Sequence, residues 1–171
     1  MSTPAVSVLY VDDEISNITV FVAAFRRYYT VHTANSAEEG MAVLKKHPIQ
    51  LLLTDQRMPN MNGIQFLETV MVKYPDTIRM ILTGYADMDE IIEAINKGII
   101  YRYITKPWEE RELRANLDSA VKVFHAEKSN RDRIKELERQ LLEQEQILNQ
   151  YKLHTTFSPL KSDLLGQCKD D

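Results

Sequence analysis

The run Leu51-Leu52-Leu53-Thr54-Asp55 constrains this chain more than any other feature: it is short, apolar and closed by Pro59, Asn60, Asn62 and Gly63. A run of that length between turn residues reads as a buried strand, and it leaves Asp55 at the strand's carboxyl end. Three further runs have the same form. Val8-Leu9-Tyr10-Val11 ends in Asp12, Asp13 and Glu14; Ile78-Arg79-Met80-Ile81-Leu82 ends in Thr83 and Gly84; Tyr101-Arg102-Tyr103-Ile104-Thr105 ends in Lys106 and Pro107. A parallel sheet would gather these acids, the hydroxyl and the ammonium at one edge, where open α/β sheets bind their ligands.

The stretches between the runs have helical spacing. Ile15, Ile18, Phe21, Val22 and Phe25 predict a helix over about 16–28, and Val31 with Thr33 marks a short strand. Ser36 followed by Glu39 is a capping-box pattern opening a helix to about residue 46, with Met41 and Leu44 inward, before His47-Pro48. Ile64, Phe66, Leu67, Val70 and Met71 mark a third helix ending before Pro75, and Ile91, Ile92 and Ile95 a fourth closed by Gly98. Strands and helices thus alternate five times. The pattern predicts an α/β fold, a parallel sheet with helices on both faces and right-handed crossovers.

With 171 residues, the chain has room for one ordinary domain and a remainder, and 44% hydrophobic residues suffice for a core. The net charge of −4 argues against a surface for nucleic acid or anionic membrane. Cys168 is the one cysteine, so no disulfide can form within the chain. No leader pattern opens the sequence, and no stretch approaches the roughly 20 apolar residues of a membrane helix. The expectation is a cytoplasmic protein with no membrane insertion and no direct nucleic-acid contact.

The remainder begins after Pro107, where Glu109, Glu110 and Glu112 suit the positive end of a helix dipole. No Gly or Pro interrupts residues 111–151, which predicts a helix of about 40 residues, roughly 60 Å long. Ala120, Glu127, Ile134, Leu141 and Leu148 fall at one heptad core position; Val123, Asn130, Leu137, Gln144 and Tyr151 fall at the other. Neither a solvated surface helix nor a linker needs Ile134, Leu137, Leu141 and Leu148 at that spacing. A parallel dimeric coiled coil does, with Asn130 fixing the register and Arg133 facing Glu138 of the partner helix. The expected plan is a sheet domain over 1–124, an extended dimerisation helix over 118–151, and a tail over 152–171 that is a flexible end or the start of an output domain.

Asp12, Asp13 and Asp55 would repel one another without a cation, and their hard oxygens select Mg²⁺ or a similar ion. Lys106 can pair with Asp55 at rest and with a phosphoryl group afterwards, and Thr83 can donate its hydroxyl hydrogen to the same group. The chemistry that fits is phosphoryl transfer to the Asp55 carboxylate. Singly, each residue has a bland reading as a helix cap, a turn or a strand end. Jointly, four strand ends are hard to explain as punctuation.

The pair Asp12-Asp13, the loop from Asp55 through Met58-Pro59 to Gly63, Thr83-Gly84 and Lys106-Pro107, in this order, resemble the receiver domain of two-component response regulators over about 5–124. The resemblance implies a flavodoxin-like sheet of strand order 2-1-3-4-5, with Asp55 as phosphoacceptor for a histidine kinase or histidine phosphotransfer protein. It implies Mg²⁺ (or Mn²⁺) held directly by Asp13, Asp55 and the main-chain carbonyl of Arg57, with Asp12 acting through water. Thr83 and Lys106 would contact the phosphoryl group, and Tyr103 would be the switch aromatic whose ring turns inward with Thr83. Such a chain is no enzyme beyond its own phosphorylation and dephosphorylation, and its signal passes to the helix dimer and a downstream output domain or protein. Arg57 and Tyr85 match positions that border the path of attacking water, which implies slow phosphate loss. Gln56-Arg57 with Tyr101, Tyr103 and Trp108 also resembles receivers attached to cyclic-dinucleotide phosphodiesterases or other signalling enzymes.

Three rivals fit less well. A phosphatase using Asp55 as transient nucleophile would normally place a second Asp where Arg57 stands, and a nucleotide-binding protein would want a Gly-rich loop after the first strand. A phosphorylation-independent dimerisation or adaptor module would have no use for the complete set of acids, Thr and Lys.

Overall fold

The computed structural model describes residues 6–84 and 87–156. Strand and helix alternate as β1 (Ser7–Val11), α1 (Ile15–Phe25), β2 (Thr30–Ala34), α2 (Ala37–Lys46), β3 (Leu51–Asp55), α3 (Gly63–Lys73), β4 (Ile78–Thr83), α4 (Met88–Asn96), β5 (Arg102–Thr105) and α5 (Glu110–Thr156). The strands pair in parallel in the order β2-β1-β3-β4-β5, the expected flavodoxin-like sheet.

Period-two alternation along the strands divides the core between the two faces. Leu9, Val11, Leu52 and Ile81 point to one side, against Leu44 of α2, Phe66, Leu67 and Val70 of α3, and Ile91 of α4. Val8, Tyr10, Leu51, Leu53, Met80 and Leu82 point to the other, against Phe21 and Phe25 of α1 and Leu113, Leu117 and Ala120 of α5. β3 lies between β1 and β4 and is buried along its whole length, which explains why its sequence is a continuous apolar run.

Local chemistry sets the helix ends. The Ser36 hydroxyl accepts the Glu39 N–H at 3.2 Å, while the Glu39 carboxylate accepts the Asn35 N–H at 2.7 Å, so the expected box closes one residue earlier than the standard pattern. Asn62 and Gln65 form a complete capping box on α3. Gly98 takes φ +72° after α4, and the N–H groups of Gly98 and Ile99 return to the carbonyls of Ile95 and Ala94. α1 is shorter than expected because the Tyr28 and Tyr29 N–H groups both close a turn onto Phe25 O.

The chain divides within α5 into two compact units, Met1–Lys128 and Ser129–Asp171. In the first, Ala120 is buried and Val123 packs against the same core, so the first two heptad positions serve the sheet domain itself. In the second, α5 continues past Tyr151 to Thr156. Among the described residues no helix is long and apolar enough to cross a membrane. Tyr85 and the tail from residue 157 onward lie outside the described residues.

Candidate functional site

The sheet register brings the strands' carboxyl ends together: Val11 stands opposite Thr54, Asp55 opposite Leu82, and Thr83 opposite Thr105. Ladder hydrogen bonds continue one residue into three loops. The N–H groups of Asp12, Gln56 and Lys106 donate to Ala34 O (3.2 Å), Leu82 O (2.9 Å) and Thr83 O (2.8 Å). The loop after β3 folds back so tightly that the Gly63 N–H reaches Gln56 O at 2.9 Å. A Cβ on Gly63 would collide with the Asp55 carbonyl oxygen and lie 3.0 Å from Gln56 Cα.

Lys106 joins the two buried acids. Its Nζ lies 2.6 Å from Asp55 Oδ1 and 3.3 Å from Asp12 Oδ2. Asp12 is fully buried and richly supplied with donors: Tyr10 OH at 2.6 Å, the Glu14 N–H at 2.9 Å and the Asn17 amide at 3.1 and 3.2 Å, besides Lys106. Asp55, 7% exposed, has among the described residues Lys106 and the Arg57 N–H, which donates to Oδ2 at 3.1 Å. Burial therefore pushes the Asp55 carboxyl above its ordinary value, against the pull of Lys106. Burial opposes the charge on Lys106 too, but Asp55 and Asp12 together raise its pKa. The contact is an ion pair in which Asp55 is the under-compensated member. Tyr10, buried and hydrogen-bonded to Asp12, is held firmly in its protonated form.

Asp13, Glu14, Asp55, Gln56, Arg57, Thr83, Gly84 and Lys106 line one cleft of about 320 Å³; Asp12 lies behind it. Among the described residues no group of three or more His, Cys, Asp or Glu is arranged to hold a metal unaided. Two carboxylates facing a cleft, Asp13 and Asp55, nevertheless suit Mg²⁺, which binds through one or two carboxylates and keeps waters or phosphate oxygens in its remaining positions. Thr83 is buried at the rim with its hydroxyl donating to Gly84 O at 2.7 Å, so it must rotate to meet a group on Asp55. Tyr103 is 37% exposed on β5. Ile134, Leu137, Leu141 and Leu148 are exposed on the second unit.

The sequence did not single out Tyr10, Asn17 or Asp87. Tyr10 carried a signal: a hydroxyl on a buried strand must find a partner when it enters the core. The Arg57 guanidinium is bound to Asp87 through both of its carboxylate oxygens, at 3.0 and 3.1 Å. Residues 30 apart in sequence gave no hint of that pair.

Comparison with known proteins accords with this geometry. Residues 8–118 match the family model described as "Response regulator receiver domain". The hydrogenase transcriptional regulatory protein HoxA of Cupriavidus necator is 36% identical over 121 residues, covering 71% of this chain and 25% of that protein. The transcriptional regulatory protein ZraR of Escherichia coli is 31% identical over 127 residues, covering 74% and 29%. The chain therefore spans about a quarter of the length of these curated relatives. Among solved structures, the signal receiver domain of an HD domain-containing protein from Pseudomonas fluorescens superposes with a TM-score of 0.70 at 32% identity, covering 75% of this chain and 96% of that one. A structure described as adenylate cyclase from Rhodopirellula baltica gives a TM-score of 0.74 at 27% identity, with the same coverages. Sheet order, the acid–lysine site and these matches together make the chain a member of the response regulator receiver domain family.

Proposed function

We propose that Asp55 is the phosphoacceptor of this receiver and that a histidine kinase or histidine phosphotransfer protein supplies the phosphoryl group. The observation that carries the reading is the state of Asp55: a carboxylate in a solvent-reached cleft, under-compensated and fixed by Lys106 at 2.6 Å. In the transfer a carboxylate oxygen of Asp55 attacks phosphorus, the bond to the donor histidine nitrogen breaks, and that nitrogen takes up a proton. Mg²⁺ held by Asp13, Asp55 and the main-chain carbonyl of Arg57, with Asp12 acting through water, would screen the charge that accumulates in the cleft.

The chain's own groups then do the rest. Lys106 stays beside the acyl phosphate as a point charge, and Thr83 turns its hydroxyl from Gly84 O to a phosphoryl oxygen. The space that Thr83 vacates lets the Tyr103 ring move inward. Arg57, which lines the cleft, restricts attacking water, a role the family resemblance extends to Tyr85, and loss of phosphate is slow.

The domain plan remains a receiver over 1–124, a dimerisation helix over 118–151 and a tail over 152–171. Two copies join through Ile134, Leu137, Leu141 and Leu148, and phosphorylation alters the packing or register of that seam. The signal passes to a downstream output, whether a partner protein or a domain of a longer chain; the names of HoxA and ZraR make transcriptional control the first output to test. The reading also expects a cytoplasmic protein that does not itself contact nucleic acid.

Incubating the chain and Asp55→Asn with a small phosphoryl donor and Mg²⁺, followed by intact-mass measurement, tests the assignment. One added phosphoryl group on the wild type, labile to hydroxylamine and lost in Asp55→Asn, is expected. Equal labelling of both proteins would overturn it.

A further inference from the structure

α4 is fastened unequally at its two ends. At its carboxyl end Arg79 of β4, half-buried, donates Nε to Ile99 O at 2.8 Å and Nη2 to Gly98 O at 3.2 Å, while Nη1 holds Thr77 O at 2.9 Å. Those bonds tie the end of the helix to the sheet. At its amino end Asp87 occupies the N-cap position but makes no cap: its side chain accepts nothing from the helix, and its backbone sits at φ −115°, ψ 20° instead of the extended angles of a capping residue. Its carboxylate is given to Arg57. Asp89 and Glu90 add two more acids to the same turn. Buried Gln56 bridges there as well, accepting the Ile64 N–H at 3.1 Å and donating to Glu90 at 3.4 Å.

The residue that holds Asp87 away from its helix belongs to the cleft. Arg57 lies two positions after Asp55, lines the same opening, and feels the Asp55 charge. Its side chain is 69% exposed while that of Asp87 is 19% exposed, so the two-point pair is open to solvent, and to a competing anion, from the Arg57 side. A phosphoryl group on Asp55 would bring up to two negative charges and new acceptor oxygens to this cleft, and a guanidinium fork binds phosphate in two-point fashion at least as well as carboxylate. Asp87 would then lose its partner at the N-cap position of α4, where an Asp side chain ordinarily accepts an N–H of the first turn.

We infer that Arg57 is a phosphoryl-contacting residue that Asp87 holds at rest, and that its transfer to the phosphoryl group frees Asp87 to cap α4. The inference rests on Asp55 as phosphoacceptor. It assigns the signal a second route out of the cleft, separate from Thr83 and Tyr103: the amino-terminal turn of α4 orders while Arg79 keeps its other end in place.

Amide hydrogen exchange at Asp89 and Glu90, measured by NMR on the full chain with and without Mg²⁺ and beryllofluoride, tests it. In the wild type the phosphoryl mimic should slow these amides about fivefold, the effect of an ordinary N-cap. Arg57→Gln and Asp87→Asn should both show that slowing without the mimic, the first because Asp87 is released and the second because Asn caps but forms no ion pair. Arg57→Gln should gain nothing more from beryllofluoride and should bind it about tenfold more weakly, because one charge-assisted contact is lost. Unchanged amides in Arg57→Gln, or a full further slowing when the mimic is added to it, would overturn the exchange of partners while leaving the phosphoacceptor intact. A wild type that binds no beryllofluoride would remove the phosphoacceptor reading and this inference with it.

Discussion

Asp12, just beyond β1, and Asp55, the last residue of β3, are buried carboxylates whose neighbours give them different work. Asp12 collects Tyr10, Asn17, the Glu14 N–H and Lys106, and is thereby a fixed anion that positions the lysine. Among the described residues Asp55 keeps Lys106 and one N–H, so burial leaves its charge partly uncompensated. The consequence can be read in stability. Because the Asp55 carboxyl titrates higher in the folded state than in the unfolded chain, the native state binds that proton more tightly, and stability is lost as pH rises from the ordinary carboxylate value through that of Asp55. Asp55→Asn removes this penalty and leaves Lys106 its contact with Asp12. In metal-free buffer the variant should melt above the wild type at about pH 7.5, with the difference vanishing near about pH 3. Identical melting temperatures at the higher pH would mean that Lys106 compensates Asp55 fully.

At the scale of elements, the site depends on how closely the loop after β3 folds back on the strand's end. Gly63 is the first residue of α3; within a helix interior Gly→Ala would gain about 0.5–1 kcal/mol. Here the added methyl meets main-chain atoms of Asp55 and Gln56, which are held by the ladder to β4 and cannot yield cheaply. Gly63→Ala should therefore destabilise the protein by roughly 1–3 kcal/mol in urea denaturation, as overpacking does, and should weaken beryllofluoride binding by displacing Asp55. A stabilised variant would show that the loop has room to move.

These elements were legible in the sequence where one local rule governed each: apolar runs gave β1, β3 and β4, helical spacing gave α1 to α4, and Gly98 gave the end of α4. The gathering of Asp55, Thr83 and Lys106 was legible for the same reason, since each stands at or just beyond the end of a readable strand. What escaped was tertiary. Arg26 to Tyr29 continue the helical pattern in composition, yet the chain turns there so that Thr30 can pair beside β1. Asp87 has the residue type of a cap and is denied that role by a cation from another loop. No local periodicity reports such a choice.

For the whole molecule, the deciding quantity is whether the exposed apolar residues of α5 suffice to join two copies. Ile134, Leu137, Leu141 and Leu148 are between 52% and 60% exposed. Covering the remainder of each is worth roughly 1 kcal/mol, about half the value of full burial, or some 8 kcal/mol over both copies. Association itself costs about 4–15 kcal/mol. Ala120 and Val123 already serve the receiver core and add nothing, and Glu127, Asn130 and Gln144 are polar at seam positions. A seam formed by these residues would thus be close to balance, the condition under which a change of about 1–3 kcal/mol from phosphorylation would alter the assembly appreciably. Sedimentation equilibrium between about 1 and 100 µM, bracketing the association free energies expected of such a seam, should show a reversible monomer–dimer exchange in the wild type. Leu137→Asp combined with Leu141→Asp should shift it to monomer, because four unpaired carboxylates would enter the seam, while beryllofluoride binding at Asp55 persists. A wild type that stays monomeric at the highest concentration, with and without the mimic, would leave the helix as a spacer to an output and not a dimerisation element.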